Sequence, residues 1–409
     1  MTPMKPLDLE KIKEMPIEYL AGDAQVLARL PQQEPWVPFD DRTLAFLNAL
    51  SAALRRNPQT RQMPDAASFA FWCRQGNMQQ LKKKYAQPDR IGRGITVHFA
   101  PSNIPVLFAF TLVSGLLSGS CTVVRLARKK SPQEALICAA IRQLTEGEFR
   151  ELRPRIVLCR YAHSSEITDM LSSVCDVRVL WGSDESVLAI RKSPLPPRGV
   201  DMPFAARGSA AVIRAKSVLE SDSVDILARN FYNDTYLNDQ NACSSPVMIG
   251  WLGEPDEVQA AQKIFWSEME KLLAARNYTV PAELAVRKLN AAYVLAAVCG
   301  AEKIIRHDSR LIRVQVPAFC EDMWEHTVPG GFFIECAGTD LSMMCPVLGS
   351  LCQTVCRIGV EAQEIAAMTA AQGLRGVDRI VPAGHTLDYA LTWDGFNMIE
   401  MMSRKISCE

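Results

Sequence analysis

The chain has 409 residues, of which 48% are apolar and 22% charged, an ordinary composition for a folded globular protein. Because a single hydrophobic core stops growing at roughly 250–300 residues, this length predicts two domains. Lys plus Arg equal Asp plus Glu at 45 each, and no long run of one sign occurs. This balance argues against nucleic-acid binding and against a polybasic membrane role.

The N-terminal ninety residues are predicted to be helical and partly irregular, with an amphipathic helix over residues 43–55. The first sixteen, MTPMKPLDLEKIKEMP, are polar and interrupted by proline, unlike a signal peptide. The thirteen cysteines form no CxxC pair, so neither a disulfide framework nor a zinc site is predicted. Free thiols in such number favour a reducing compartment, and the expected location is the cytoplasm.

From Gly94 onward the pattern alternates between short apolar strands and helices. Such alternation predicts a parallel sheet with helices on its faces, which binds ligands beyond the carboxyl ends of its strands. The predicted strands are 95–100, 121–127, 155–161 and 177–182, and the predicted helices include 131–146 and 164–174.

The segment PVLFAFTLVSGLLSGSCTVV, residues 105–124, is about as long as the ~20 residues that cross a bilayer. Gly115, Gly119 and three serines interrupt it. We therefore predict a buried helix, a glycine turn and a buried strand, and no membrane span.

The proline-rich segment SPLPPRG, residues 193–199, is predicted to be a linker that closes the first α/β region. A second α/β region then begins near Met202. Cys352 and Cys356, four residues apart, are interpreted as neighbours on a helix that pack in the core. The tail from residue 379 is predicted to form strands and turns, followed by a short helix that reaches Lys405.

The chain contains neither GxGxxG nor GxxxxGK[ST]. The segment WGSDES, residues 181–186, follows a predicted strand and opens a helix with Ser183 as N-cap, so its free amides could receive a phosphate. Asp184 and Glu185 would also stabilise this helix start without any ligand, because they complement the helix dipole. Both interpretations stay open at this point.

Five histidines show neither HxH nor HExxH spacing, and no metal site is predicted. His98 lies within a buried strand and is expected to be a core histidine with its hydrogen bonds satisfied. A Cys–His dyad formed through space is a further possibility that the spacing leaves open.

Cys243 lies in LNDQNACSSP, residues 237–246, among small and amide-bearing side chains. Serines followed by proline are typical of a helix start, which lowers the pKa of a thiol. Gln240 and Asn241 could supply polar contacts just upstream. The other cysteines in apolar periodic runs, such as Cys138, Cys159, Cys299 and Cys356, are interpreted as inert core residues. Cys243 is therefore the candidate nucleophile.

Three segments in this order, HFAPSNIPVLFAFTLVSGLLSGSCTVVRLARKKSP, VRVLWGSDES and DQNACSSP, resemble the aldehyde dehydrogenase superfamily. The chain is more closely similar to the fatty acyl-CoA reductases typified by LuxC, through LCQTV, GVDRIVPAG and WDGFNMIEMMSRKI. The resemblance covers residues 90 to 406. It implies an α/β fold with a Rossmann-type cofactor domain and a second α/β catalytic domain.

With this resemblance, four segments are predicted. Residues 1–90 form a helical region that packs on the cofactor domain, and residues 91–201 form the cofactor-binding domain. Residues 202–378 form the catalytic domain. Residues 379–409 return to the cofactor domain or to an oligomer interface.

The resemblance also implies roles for individual residues. Cys243 matches the cysteine that attacks an acyl thioester and carries the acyl group. Asn103 matches the asparagine that polarises the substrate carbonyl together with the backbone amide of that cysteine. Trp181, Gly182 and Ser183 match the cofactor loop, near the pyrophosphate or the nicotinamide.

Departures from the superfamily pattern refine these roles. PFAARGS, residues 203–209, replaces ELGGK, and Phe204 stands in place of the glutamate base that activates water. The acyl-enzyme is therefore expected to wait for hydride. In RLARKK, residues 125–130, Leu126 and Lys129 replace a lysine and an acid.

In RLARKK, Arg128 and Lys129 would accept a ribose 2′-phosphate, which favours NADPH over NADH. Arg125 of the same segment is also assigned to cofactor binding. A solvated basic segment is the alternative. Asn241 stands two residues before the cysteine, where relatives have glutamine.

These features predict an acyl-CoA reductase that forms a fatty aldehyde from an acyl thioester and NADPH through an acyl-cysteine. The donor is an acyl-CoA or an acyl-carrier thioester, an acyl-protein synthetase is a possible partner, and a homo-oligomer is expected. Two alternatives are a cysteine-dependent acyltransferase or thioesterase, and a non-catalytic subunit of an acyl-processing complex.

Overall fold

The computed structural model describes residues 7–407, so the first six residues of the N-terminal segment lie outside the described residues. The chain divides into two units. The first contains residues up to 205 together with the segment that starts at residue 391, and the second contains residues 206–390. Each unit is built around its own sheet.

The first unit contains ten α-helices and ten strands among the described residues. Its helices are α1 Leu9–Glu14, α2 Ala24–Arg29, α3 Asp41–Arg56, α4 Pro64–Trp72, α5 Gln75–Tyr85, α6 Leu107–Leu117, α7 Pro132–Glu146, α8 Ser165–Ser173, α9 Asp184–Arg191 and, near the C-terminus, α15 Met398–Met402. Its strands are β1 Glu18–Ala21, β2 Arg90–Gly92, β3 Ile95–Phe99, β4 Cys121–Arg125, β5 Ile156–Arg160, β6 Val177–Trp181, β7 Val200–Phe204, β15 Thr392–Trp393, β16 Phe396–Asn397 and β17 Ser403–Lys405.

The main sheet of the first unit has the strand order β1-β5-β4-β3-β6-β7. β1 pairs antiparallel with β5, and every other pair is parallel. If β3 is numbered as the first parallel strand and the others follow in chain order, the order β5-β4-β3-β6-β7 becomes 3-2-1-4-5. This is the strand order of one half of a dinucleotide-binding fold. The order reverses between β3 and β6, and ligands of such sheets bind at this switch point.

The apolar segment 105–124 forms a helix and a strand, as the sequence predicts. Nearly all of α6 is buried, and β4 follows in the sheet. Gly119, with φ of 84°, makes the turn between them, and a Cβ there would lie 2.1 Å from the Trp36 carbonyl oxygen. Within residues 7–407, no helix has both the length and the apolar character needed to cross a membrane.

Two predictions about the edges of the first unit are wrong. The segment 193–199 does not end the sheet, because the residues that follow form β7 and pair with β6. Helix α15 ends at Met402, not at Lys405, and residues 403–405 form β17. β17 pairs antiparallel with β2, which ties the tail to the first unit.

The second unit contains five helices and seven strands. Its helices are α10 Ala215–Leu219, α11 Val224–Thr235, α12 Pro255–Ala275, α13 Ala282–Val298 and α14 Ala362–Ala371. Its strands are β8 Gly208–Arg214, β9 Pro246–Leu252, β10 Lys303–Arg306, β11 Ile312–Gln315, β12 Phe332–Gly338, β13 Cys352–Ile358 and β14 Arg379–Pro382.

The sheet of the second unit has the order β10-β11-β12-β9-β8-β13-β14, and only the β10–β11 pair is antiparallel. One core lies between this sheet and α13 with α14, and the other lies between the sheet and α11 with α12. Cys352 and Cys356 are buried in β13, so the predicted packing is confirmed but the predicted helix is wrong. The buried, β-branched residues around them suit a central strand.

Candidate active site

Cys243 lies in a turn directly before β9, and the prediction that it begins a helix is wrong. Pro246 starts a strand instead. The Ser245 hydroxyl donates a 2.7 Å hydrogen bond to the Asp234 carbonyl at the end of α11, so this serine fixes the turn and caps no helix. The thiol of Cys243 is half-buried.

Two side chains from neighbouring strands hold Cys243 at both its backbone and its sulfur. The Ser209 hydroxyl donates to the Cys243 carbonyl over 2.7 Å, and Ser209 lies near the start of β8. The Gln353 amide Nε2 donates to Cys243 Sγ over 3.4 Å, and Gln353 lies near the start of β13. Because β8, β9 and β13 are parallel, the cysteine lies at the amino-terminal edge of this sheet.

The loop before Cys243 is held in an unusual backbone conformation. Asp239 and Gln240 have φ values of 49° and 58°, in the left-handed region that non-glycine residues rarely adopt. Gln240 is 5% exposed, and its Nε2 donates to the carbonyls of Pro246 (2.9 Å) and Phe332 (3.3 Å). Its Oε1 accepts from the Gly331 (2.9 Å) and Phe332 (3.3 Å) amides, so one side chain ties the loop to the starts of β9 and β12.

The two upstream amides therefore have different roles. Asn241 is exposed, and its Nδ2 donates to the Asn238 carbonyl over 3.1 Å within the loop itself. The residue three before the cysteine, Gln240, is the one that organises the loop. Asn241 is the residue that aligns with the glutamine of relatives, but the side chain that organises the loop is that of Gln240.

The Gly330–Gly331 turn supports the same loop from the other side. The Gly330 amide donates to the Asp239 carbonyl over 3.0 Å. The Gly330 carbonyl accepts a 2.5 Å hydrogen bond from Lys288 Nζ, and Lys288 is fully buried on α13. Burial lowers the pKa of Lys288 to about 8. At Gly331, with φ of 89°, a Cβ would lie 2.0 Å from the Arg310 carbonyl oxygen, so only glycine fits.

The four cysteines that the sequence analysis interprets as inert have raised pKa values. Burial raises the pKa of Cys159 to about 12 and that of Cys356 well above its usual value. It also raises the pKa of Cys138. Cys299 is half-buried at the end of α13, where burial and the neighbouring Cys320 raise its pKa to about 11. Raised pKa values make these thiols poor nucleophiles at neutral pH.

A buried carboxylate and a guanidinium fix the loop 383–388 after β14. The Asp234 carboxylate accepts from the amides of Gly384 (2.7 Å) and Thr386 (2.9 Å). The Arg379 guanidinium donates at 2.8 Å to the carbonyls of Thr386, His385 and Asp388. Burial lowers the pKa of Arg379, and the charges of Asp388, Asp234 and Cys243 act in the opposite direction. Arg379 is thus electrostatically coupled to the candidate nucleophile.

In the first unit, the predicted cofactor and oxyanion residues follow the carboxyl ends of adjacent strands. Asn103 lies in the exposed loop after β3, and Gly182 follows β6 directly. β3 and β6 are the two strands at the switch point of the sheet. Arg128 and Lys129 follow β4 at the same edge. The topology therefore gathers these residues where a dinucleotide binds in such folds.

Trp181 is packed inside this edge. Its ring stacks on Phe204, with centroids 3.9 Å apart and 16° between planes, and its Nε1 donates to Thr111 Oγ1 over 3.1 Å. The same hydroxyl lies 2.5 Å from His98 Nδ1. His98 Nε2 is buried without a hydrogen-bond partner among the described residues, so the expectation of a fully satisfied histidine is wrong. Burial lowers the pKa of His98 to about 3, which keeps the imidazole neutral.

The segment after β4 is where a 2′-phosphate could be held. Arg128 and Lys129 are exposed and form no ion pair or side-chain hydrogen bond within residues 7–407. Leu126 is buried, and Arg125 donates to the Tyr161 carbonyl over 3.3 Å. An exposed pair of cations beside the switch point fits a phosphorylated dinucleotide.

Ser183 caps α9 as predicted, because its hydroxyl accepts from the Ser186 amide over 3.4 Å. The Ser183 hydroxyl and the backbone amide of Glu185 hold the pKa of the Glu185 carboxyl below its usual value. The helix start already carries this negative charge, so phosphate binding at this turn stays a prediction. At Gly182 a Cβ would lie 3.3 Å from Ser186 Cβ, a tight contact that a shift of a few tenths of an ångström would relieve.

Among the residues that the structure describes, no group of three or more His, Cys, Asp or Glu could hold a metal ion. Sequence reasoning missed three polar residues of the second unit: Ser209, Gln353 and Arg379. Gln353 and Arg379 lie inside LCQTV and GVDRIVPAG, two motifs that carry the family resemblance, and Ser209 ends PFAARGS, the segment that departs from the superfamily pattern. A polar residue at the start of a buried strand was the available signal.

The family comparison identifies one match. A family model described as acyl-CoA reductase (LuxC) matches residues 43–293. No match is found among curated proteins.

Solved structures of aldehyde dehydrogenases share the fold. A mutant of 1-pyrroline-5-carboxylate dehydrogenase from Thermus thermophilus has 15% identity and a TM-score of 0.61, over 94% of this chain and 85% of that chain. Lactaldehyde dehydrogenase from Escherichia coli has 14% identity and a TM-score of 0.61, over 90% and 86%. The P. syringae indole-3-acetaldehyde dehydrogenase AldA, a mutant in complex with NAD+ and IAA, has 11% identity and a TM-score of 0.60, over 90% and 83%.

Proposed function

Because the chain belongs to the LuxC family of acyl-CoA reductases, we propose that it reduces an acyl thioester to a fatty aldehyde through an acyl group on Cys243. The observation that carries the proposal is the position of the Cys243 sulfur. Cys243 is half-buried, and its backbone carbonyl is held by the Ser209 hydroxyl. Its sulfur contacts an amide donor.

The first half-reaction is acyl transfer. The Cys243 thiolate attacks the carbonyl carbon of the acyl thioester, and the Asn103 amide with backbone amides stabilises the negative oxygen. The bond to the donor sulfur then breaks, and the donor leaves as a thiolate that takes a proton from solvent. Covalent catalysis thus divides a difficult reduction into two easier steps.

The second half-reaction releases the aldehyde. When bound, NADPH supplies the hydride that reduces the acyl carbon. The bond from this carbon to Cys243 Sγ then breaks, its electron pair returns to the sulfur, and the aldehyde leaves. The net reaction consumes one acyl thioester, one NADPH and one proton, and yields aldehyde, thiol and NADP+.

Phe204 supports reduction in preference to hydrolysis. In relatives that hydrolyse the acyl-enzyme, a glutamate base occupies the corresponding motif. Here that position is a phenylalanine that is 3% exposed and stacked on Trp181. An aromatic ring cannot accept a proton from water, so the acyl-cysteine persists until hydride arrives.

Arg128 and Lys129 support the choice of NADPH, because a 2′-phosphate placed at the end of β4 would neutralise two exposed cations. Trp181, Gly182, Ser183 and Arg125 complete the proposed cofactor contacts. The proposed acyl donor is a coenzyme A or carrier thioester, the proposed partner is an acyl-protein synthetase, and the proposed assembly is a homo-oligomer.

The experiment is intact mass spectrometry after exposure to a medium-chain acyl-CoA, with and without NADPH. We expect an acyl adduct that maps to Cys243, disappears when NADPH is added and yields aldehyde with loss of absorbance at 340 nm. Cys243→Ala should abolish the adduct and the reduction, whereas Cys345→Ala, at another half-buried thiol, should retain both.

Two outcomes would overturn the proposal. Acyl transfer or hydrolysis without NADPH consumption would identify an acyltransferase or thioesterase. Neither adduct nor turnover, with acyl-CoA still bound, would identify a non-catalytic subunit.

A further inference from the structure

Gln353 contacts the reacting atom, although nothing in the acyl-transfer scheme above requires a glutamine. Its Nε2 lies 3.4 Å from Cys243 Sγ, and the residue is 2% exposed. Resting on the proposed function, we propose that Gln353 is a catalytic residue whose amide stabilises the Cys243 thiolate, both as the attacking nucleophile and as the group released when the aldehyde forms.

The contacts around Gln353 fix its amide in the orientation that this role needs. Its Oε1 accepts a hydrogen bond from Thr354 Oγ1 over 3.3 Å, which leaves Nε2 to face the sulfur. A thiolate is an acceptor only, so it requires this donor. The backbone is fixed as well, because the Gln353 carbonyl accepts from the Asp378 amide over 3.0 Å.

The amide and the cysteine share one rigid frame. The Thr354 amide donates to Ser209 Oγ over 3.2 Å, and the same hydroxyl donates to the Cys243 carbonyl over 2.7 Å. Next to it, the Cys352 carbonyl accepts from Arg207 Nη2 over 2.5 Å, and Arg207 is also ion-paired with Asp378. The donor therefore reaches the sulfur from a preorganised strand, with little entropy lost when the thiolate forms.

An arginine on the neighbouring strand belongs to the same frame. Arg379 starts β14 and is paired with Thr354 in the register of β13 and β14. Its guanidinium interacts electrostatically with Cys243 and is held by the carbonyls of the 383–388 loop. Asp234 and Asp388 face this guanidinium and offset part of its charge. Gln353, next to Thr354 on β13, supplies the directional hydrogen-bond donor to the sulfur.

The Gln353 amide can act at two points in the reaction, before acylation and when the aldehyde is released. A free thiolate accepts its hydrogen bond, whereas an acylated sulfur is a weak acceptor, so acylation releases the amide. When the carbon–sulfur bond breaks, negative charge returns to Sγ and the bond reforms. One donor thus favours both formation of the nucleophile and departure of the leaving group.

The test measures alkylation of Cys243 by iodoacetamide as a function of pH, resolved by peptide mass spectrometry in the intact protein. Gln353→Met keeps the side-chain volume and removes the donor. We expect the midpoint of its pH profile to rise by about one unit, which means roughly tenfold slower alkylation at a fixed pH below the midpoint. Gln353→Glu should move it further, because a negative charge replaces the donor.

Controls separate this effect from misfolding and from failure of the proposed function. Alkylation of Cys345 in the same sample reports the fold, and Gln363→Glu adds a charge at an exposed site on α14. If Gln353→Met does not fold, Gln353→Asn withdraws the amide while keeping a polar side chain. An unchanged Cys243 profile in a folded variant overturns the role of Gln353. A shifted profile in a protein that reduces no acyl-CoA supports that role and overturns the reductase proposal alone.

Discussion

The indole ring of Trp181 stacks on the phenyl ring of Phe204, with centroids 3.9 Å apart, and the two residues are register partners in β6 and β7. Phe396 packs edge-on against Phe204, with centroids 5.9 Å apart. Phe204, which the resemblance aligns with the glutamate base of aldehyde dehydrogenases, is therefore part of an aromatic cluster. The side chains that surround Phe204, those of Trp181 and Phe396, are themselves aromatic and offer an apolar environment.

This cluster predicts that Phe204→Glu will not create a hydrolase. A carboxyl group buried among aromatic rings has no hydrogen-bond partner, and the variant should lose on the order of 3 kcal/mol of stability. Burial would also keep the new carboxyl protonated and useless as a base. Thermal unfolding and the ratio of acid to aldehyde product measure both effects. A stable variant that releases fatty acid would contradict this prediction, and Phe204→Leu is the apolar control.

The neutral, buried His98 predicts a pH dependence of stability. Its pKa is lowered to about 3, whereas an unfolded histidine has a pKa near 6.5. Between these values the unfolded chain binds a proton that the folded chain does not, so stability falls as pH decreases. From pH 6.5 to 5, wild type should lose about 1.6 kcal/mol relative to His98→Leu, since at pH 6.5 the unfolded histidine is already half protonated. Denaturant unfolding at several pH values measures this difference, and parallel curves would refute the assignment.

The buried amide of Gln240 predicts a large asymmetry between two adjacent residues. Gln240→Ala removes the partner of four backbone groups and should cost about 3 kcal/mol of stability, together with most of the acyl-CoA reductase activity. Asn241→Ala removes an exposed local contact and should cost less than about 0.5 kcal/mol. Chemical denaturation of both variants is the measurement. Equal effects would mean that Gln240 does not hold the nucleophile loop.

The proposed oxyanion contact predicts a specific kinetic defect for Asn103→Ala. Loss of one such donor should reduce kcat by about 10²- to 10³-fold and leave the unfolding midpoint unchanged, because Asn103 is exposed. Ser102→Ala in the same exposed loop is the control. A variant with normal kcat and a raised KM would assign Asn103 to substrate binding instead.

The basic pair after β4 predicts cofactor preference. Arg128→Ala with Lys129→Ala should raise KM for NADPH by roughly 10- to 100-fold, because the two exposed charge-assisted contacts together are worth about 1.5–3 kcal/mol. KM for NADH should stay within about twofold of the wild-type value, since NADH has no 2′-phosphate. Lys130→Ala is the matched control, because Lys130 pairs with Glu18 over 2.8 Å. An equal increase in KM for NADPH and for NADH would show that Arg128 and Lys129 do not determine cofactor selectivity.

Periodicity and turn residues were sufficient to predict four of the six strands of the first sheet, β3, β4, β5 and β6. The apolar runs at 95–100 and 121–127, with Gly119 between helix and strand, reflect local rules that hold wherever the segment lies. Ser183 was predicted as a cap from sequence for the same reason. The order of the motifs along the chain then predicted the family, because a match between motifs depends on the sequence alone.

Other predictions failed where a local pattern has more than one solution. Serines before a proline suit a helix start or a turn into a strand, and pairing of Pro246–Leu252 with its neighbours decided for the strand. Cysteines four apart suit a helix face, but Cys352 and Cys356 joined β13 between two parallel partners. Residues 193–199 read as a linker only while the pairing of β7 was unknown.

By itself, the sequence predicted the candidate nucleophile, Cys243, and the four central strands of the first sheet. Only the tertiary structure decided which residues surround that nucleophile. Gln353 follows Cys243 by 110 positions, and its amide meets the sulfur because β13 lies beside β8. Contacts of this kind depend on which strands pair, a choice made by burial across the whole sheet, and no local pattern of residues encodes it.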